Sequence, residues 1–206
     1  MREEFLFAKR QEARQALGLG EEPLVVSCWG SLGAREMNKK IAQFMKCECE
    51  ENTPFHHIHA TGSFGWRWMP EYVKELGVDL AAHPRIDMRE YIYDMPQVLA
   101  AADLIVCRAG AATIAEVCAS GTPCIMVPSP NVTGNHQEKN ARVLERSGAA
   151  AVVREADCDG KSLYETAKAI LSDAGRMRAM RASARDMAVV DAAERIYQTA
   201  LDLAKH

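Results

Sequence analysis

Short apolar runs alternate with amphipathic stretches along most of this chain. Leu24–Cys28, Phe55–Ala60, Leu104–Val106, Cys124–Val127 and Ala150–Val153 read as strands, with a weaker one near Arg85–Met88. The spacing of apolar positions between them predicts helices over 35–46, 68–76, 95–101, 112–119 and 137–147. A helix over 3–17 precedes the first strand and ends at Gly18 and Gly20. Three more helices, over 161–172, 176–187 and 191–204, close the chain. Strands and helices in alternation argue for an α/β fold with a parallel sheet flanked by helices. No repeat, low-complexity tract or long linker divides the sequence, so residues 1–206 are read as a single domain.

Composition narrows the function classes. The chain has 206 residues, 48% of them hydrophobic, enough for a sizeable core. Its formal charge of −3 gives no basic field for nucleic acid. No apolar run reaches the length of a membrane-spanning helix, and the charged start MREEFLFAKRQEAR lacks a signal-peptide core. The seven cysteines show no framework spacing, which argues for reduced thiols in a cytosol. Cys28, Cys107, Cys118 and Cys124 lie among apolar neighbours and read as core residues. Cys47 and Cys49 lack the two-residue gap of zinc or redox pairs.

The richest stretch is Cys107–Ala141, CRAGAATIAEVCASGTPCIMVPSPNVTGNHQEKNA. A strand leads into the small-residue turn Arg108–Thr113, which opens directly into a helix. Free N–H groups and the helix dipole make such a turn an anion site. Glu116 follows Thr113 by about one helical turn, and its carboxylate suits the paired hydroxyls of a ribose. Together these residues point to a nucleoside diphosphate at the carboxyl ends of a parallel sheet. Arg108 fits either a bidentate phosphate contact or a surface salt bridge. Asn135 fits a helix cap, while His136 and Gln137 fit sugar hydroxyls.

Elsewhere the signals are weaker. Trp29-Gly30-Ser31-Leu32-Gly33 is a tight turn that resembles a phosphate loop, yet it is neither G-x-G-x-x-G nor a P-loop. Without Gly-Lys-Ser/Thr, nucleoside triphosphate hydrolysis is not expected. His56, His57 and His59 alternate along one strand, with His57 expected to face away from the other two. No acid or thiol with ligand spacing accompanies them, so no metal site is expected. Trp66 and Trp68 read as packing or a loop platform. No Ser/His/Asp order is visible, and no residue stands out as a general base.

The motif CRAGAATIAE followed by GTPCIMVPSPNVTGNHQEKNA resembles the carboxyl-terminal half of the MurG family. These are the UDP-N-acetylglucosamine–N-acetylmuramyl-(pentapeptide) pyrophosphoryl-undecaprenol N-acetylglucosamine transferases of peptidoglycan synthesis. GSLGA, Tyr91–Met95 and Asp191–Ile196 extend the resemblance over nearly the whole chain. It implies a Rossmann-like domain, the C-terminal half of a GT-B glycosyltransferase, that binds UDP-N-acetylglucosamine without a metal or other cofactor. By position, Gly30 and Ser31 would approach the diphosphate, and Leu32 and Gly33 would shape the turn. Ile92 would touch the uracil through its backbone. Arg108 would sit near the diphosphate, with Gly110, Ala111, Ala112 and Thr113 at the helix N-terminus. Glu116 would bind the ribose, and His136 and Gln137 the sugar, with Asn140 supporting their helix. Trp29 departs from the family's pair of glycines before the serine, so a bulky side chain there is expected to alter the loop or cover the acceptor side.

The family's amino-terminal domain binds the lipid-linked acceptor, supplies the catalytic base and touches the cytoplasmic face of the membrane. This sequence begins where the second domain would begin. The resemblance therefore implies the donor half of a transferase, expected to bind donor without turnover. Two rival readings stand beside it: a UDP-N-acetylglucosamine epimerase-like enzyme, and a donor subunit that docks on a separate membrane partner. A nicotinamide-binding domain fits poorly, because the fingerprint glycines and the ribose-binding acid are misplaced.

Overall fold

The computed structural model describes residues 4–204. Six strands form one sheet: β1 (Leu24–Cys28), β2 (His56–Ala60), β3 (Ile86–Arg89), β4 (Leu104–Cys107), β5 (Cys124–Met126) and β6 (Ala150–Val152). Every neighbouring pair is parallel and the order is β3-β2-β1-β4-β5-β6. The chain winds outward in one direction from β1 and in the other from β4. Such a sheet leaves a crevice outside the carboxyl ends of β1 and β4, where the winding reverses.

Helices cover both faces. α1 (Glu4–Phe7) and α2 (Arg10–Ala16) precede β1, and α3 (Arg35–Glu51) joins β1 to β2. α4 (Ser63–Trp66) and α5 (Met69–Glu75) lead to β3, and α6 (Met95–Ala101) to β4. α7 (Ala111–Ser120) and α8 (His136–Arg146) make the next two crossovers. α9 (Gly160–Leu171), α10 (Ala174–Asp186) and α11 (Ala192–Ala204) end the described chain. Strand residues alternate between two core layers, which is why the central strands read as unbroken apolar runs. Val25, Leu104, Val106 and Ile125 pack with Ile41, Phe44, Leu163 and Tyr164 of α3 and α9. Val26, Ile105, Cys107 and Met126 pack with Val98, Leu99, Val117 and Leu144 of α6, α7 and α8.

The expected strands and most of the helices appear near their predicted places, with three differences. The predicted helix over 3–17 is two helices, broken where Lys9 is extended; residue 3 lies outside the described residues. The break lets Arg10 and Arg14 reach the end of α6, where both donate to the Ala101 carbonyl, at 2.7 and 3.1 Å, and both meet Asp103. The helix expected over 35–46 runs on to Glu51, because buried Glu48 is held by His57 at 3.0 Å. Cys47–Glu51 carries little apolar signal, so this turn was not legible. The short α4 was not anticipated.

The histidines also correct the expectation. His57 and His59 are two apart and share one face, both against Ser27, while His56 faces the other way. His59 Nδ1 lies 3.2 Å from the Ser27 carbonyl, an acceptor only, so Nδ1 carries the proton. It therefore donates to Ser27 Oγ at 2.7 Å, and the hydroxyl donates to His57 Nε2, also at 2.7 Å. His57 Nδ1–H then donates to the Glu48 carboxylate. The Ser27–His57–Glu48 chain has the composition of a hydrolase triad. Ser27, His57 and His59 are all fully buried, so no substrate reaches the hydroxyl and the chain is structural.

Candidate functional site

A cleft of about 160 Å³ opens where the winding of the sheet reverses. Most of its lining comes from three segments: Cys28 at the end of β1 with Gly30 and Ser31 after it; Tyr91, Ile92 and Met95 after β3; and Arg108, Thr113 and Glu116 from the β4–α7 turn and α7; Ala60, Leu99 and Ile105 complete it. The sequence motif around Arg108–Glu116 thus meets the first loop and the Tyr91–Met95 loop in one place.

The first loop is shaped by its glycines. Gly30 and Gly33 have φ of +84° and +77°, and Gly33 N–H donates to Gly30 O at 3.1 Å. This tight turn leaves Ser31 exposed at the cleft. Gly33 lies behind it against Thr61, so it shapes the loop rather than lining the cleft.

The second wall is the start of α7. Gly110 is its N-cap, and no side chain caps the helix. Of this turn Thr113 lines the cleft, while Gly110 and Ala112 do not; the free first-turn N–H groups give this end of α7 partial positive charge beside it. Asn140 Nδ2 donates to Ala109 O at 3.2 Å and pins this turn from α8. Glu116 lines the cleft one turn further on. Half-buried Cys28 lies at its floor, a correction to its reading as a plain core residue. Burial and the nearby Glu116 charge push its thiol up to about 12, so it is neutral and unreactive at ordinary pH.

Arg108 forms an ion pair, but a shielded one rather than the surface salt bridge considered from the sequence. It lines the cleft, yet its Nη1 donates to Val127 O at 3.0 Å and lies 2.6 Å from Glu155 Oε2. The Glu155 contact is a charge contact without an aligned hydrogen bond. The guanidinium also lies over the Trp29 ring, 5.7 Å from its centre. Trp29 does not cover the acceptor side: it is 5% exposed and turned into the core layer with Val25, Met37 and Val106.

Ile92 buries its side chain in the other layer and lines the cleft. Tyr91, named from the sequence only as part of the Tyr91–Met95 stretch, also lines it and packs edge-on against Tyr93 with ring centres 4.9 Å apart. His136 and Gln137 do not line this cleft. His136 Nδ1 donates to Thr133 O at 3.0 Å, and Gln137 Oε1 accepts from Ser129 N–H at 2.9 Å. Both bonds brace the β5–α8 loop. Asn135 stands at the cap position with φ +50° and makes no capping bond. This loop borders a second hollow of about 540 Å³, lined by Lys40, Ser129, Asn135, Glu138, Arg154 and Glu155 among others.

Residues 24–196 match the family model described as the glycosyltransferase family 28 C-terminal domain. Two curated relatives carry the name UDP-N-acetylglucosamine–N-acetylmuramyl-(pentapeptide) pyrophosphoryl-undecaprenol N-acetylglucosamine transferase. The one from Acetivibrio thermocellus is 39% identical over 100% of this chain and 54% of its own length. The one from Caldanaerobacter subterraneus subsp. tengcongensis is 41% identical over 96% of this chain and 53% of its own. The crystal structure of Acinetobacter baumannii MurG superposes with a TM-score of 0.75 at 26% identity, covering 95% of this chain and 54% of that one. The chain therefore spans about half the length of the relatives it matches.

Proposed function

This chain belongs to the glycosyltransferase family 28 C-terminal domain family, and from that premise we propose that it binds the UDP-N-acetylglucosamine donor of a MurG-type transferase. The observation that carries the reading is the cleft itself. An uncapped helix N-terminus and Arg108 face the first loop across it, with Glu116 one turn away. The uracil rests against Ile92 and Tyr91, and Glu116 accepts from the ribose hydroxyls. Ser31, Gly30 and the α7 N-terminus meet the diphosphate. His136 and Gln137 meet the sugar at the far side, on the loop they brace.

The reaction is inverting transfer of N-acetylglucosamine to the lipid-linked N-acetylmuramyl-pentapeptide. The acceptor hydroxyl attacks the anomeric carbon as UDP leaves. The α7 N-terminus and Arg108 stabilise the charge that grows on the diphosphate. Uridine binding fixes the reacting carbon in place. Among the described residues lining the cleft, Glu116 is the one carboxylate, and the ribose occupies it. The base is therefore supplied by a second, acceptor-binding domain or subunit, which also meets the lipid at the cytoplasmic membrane face. Exposed Leu32, on the loop after β1, and Phe64 and Trp66, on α4 after β2, give the carboxyl side of the sheet an apolar surface suited to that partner. The epimerase reading is not favoured, since relatives matching this whole chain carry the transferase name.

Calorimetric titration with UDP-N-acetylglucosamine, UDP and NAD tests the proposal. The uridine ligands should bind, NAD should not, and Glu116→Ala should weaken the uridine ligands. Absence of uridine binding would overturn the donor reading. Transfer to a lipid acceptor by this chain alone would overturn the need for a second domain.

A further inference from the structure

Among the described residues lining the cleft, Arg108 is the one cationic side chain, and it is already engaged. Its contact at 2.6 Å is with Glu155, in the turn after β6, and both side chains are shielded, at 14% and 18% exposure. With Arg108 neutralised by Glu155 and Glu116 nearby, the cleft's side chains carry no net positive charge. A diphosphate carries about two negative charges when esterified to a sugar. It meets favourable side-chain charge there only if Arg108 leaves Glu155 or shares itself.

We propose that Glu155 is a placeholder for the diphosphate: it holds Arg108 before donor binds and yields it when the diphosphate arrives. The proposal rests on the donor-binding reading above. Three features make the exchange feasible. First, the Glu155 contact lacks an aligned hydrogen bond, whereas a phosphate can accept a forked pair from the guanidinium. Second, Arg108 is also held by Val127 O, through the same Nη1 that meets Glu155, and by the Trp29 ring, so its head pivots near the cleft instead of swinging free. Third, Glu155 also lines the second hollow, where Glu36, Glu138 and Asp157 share the wall and Arg154 is paired with Asp157 at 2.6 Å, so a released carboxylate turns toward Lys40. The Glu155 backbone does not need to move: Lys40 Nζ donates to Glu155 O and, at 2.7 Å, to Cys158 O, tying the turn to α3. Glu155 is thus a positioning residue, which sets how much donor binding must expend in recruiting Arg108.

Calorimetry of the full chain with UDP and with uridine tests this. Glu155→Gln should bind UDP about fivefold or more tightly, with uridine affinity unchanged. In an Arg108→Ala background, Glu155→Gln should have no effect on UDP. A merely structural role for Glu155 would move both ligands together. The proposal is overturned if folded Glu155→Gln binds UDP no better than wild type. It is also overturned if the gain persists without Arg108, since removal of a distant negative charge would then explain it. If Glu155→Gln does not fold, Glu155→Asp, which withdraws the carboxylate by one methylene, carries the same expectation and the same refutation. UDP binding to wild type that ignores both variants overturns the placeholder alone. Absence of UDP binding to every protein overturns the donor reading with it.

Discussion

Gly33 presses against the carbonyl of Thr61: a Cβ built on Gly33 would stand 2.0 Å from that oxygen. Gly62 closes on Gly33 as tightly: a Cβ on Gly62 would stand 2.1 Å from the Gly33 nitrogen. The loop after β1 is therefore seated on the loop after β2 by backbone alone, and Ser31 is aimed by that seat. Gly33→Ala should lower stability by about 2 kcal/mol or more, because φ of +77° and a backbone clash act together. Denaturant unfolding measures this, and an unchanged midpoint would refute it. UDP affinity should fall as well, since the loop must shift.

Trp29 offers a second test. The resemblance leads one to expect a glycine at its place, yet it is a core residue with 5% exposure and its Nε1 has no hydrogen-bond partner. Trp29→Ala should cost about 3–5 kcal/mol through the cavity left beside Val25 and Met37. A loss below about 1 kcal/mol would mean that the ring is not packed as described. Since the ring lies outside the cleft, uridine affinity of the folded variant should change little.

Glu116 and Arg108 should separate the two halves of the donor. Glu116→Gln should weaken UDP and uridine alike, by about tenfold or more, if the carboxylate accepts charge-assisted bonds from the ribose. Arg108→Ala should weaken UDP and leave uridine unaffected. Isothermal titration with both ligands decides, and equal losses for Arg108→Ala would misplace the diphosphate.

Acidification should destabilise the fold through His59. Burial, then the neighbouring His57, hold its imidazole well below the ordinary 6.5. His59 is neutral in the fold but charges in the unfolded chain, so its contribution is complete above about 6.5 and is lost as pH falls. The slope is about 1.4 kcal/mol per pH unit below that point. Glu48 works in the opposite sense, because burial raises its carboxyl above 4.5: its contribution is complete below that value and is lost as pH rises through its raised value. Comparison with His59→Gln isolates the histidine: the variant should show a flatter fall in urea midpoint between pH 6.5 and 5. Parallel curves would refute the assignment.

The Arg108–Thr113 turn was legible because it is local. A strand, small residues and a helix start are enough to define an anion site, and Glu116 follows by helix geometry alone. The central strands were legible for a related reason: burial on both faces turns β1, β4 and β5 into apolar runs, whereas the part-buried edge strand β3 gave a weaker signal. What the sequence did not display were relationships between distant segments. The partner of Arg108 is Glu155, the oxygen that Gly33 must clear belongs to Thr61, and the last turn of α3 exists because Glu48 meets His57. The direction taken by the Trp29 ring belongs with these, since the same indole could have lain across the cleft and instead fills the core layer. Local chemistry and periodicity depend on neighbours along the chain and are written there. Pairing, close backbone approach and the face a side chain takes depend on which elements the parallel sheet brings together, and only the tertiary structure decided those.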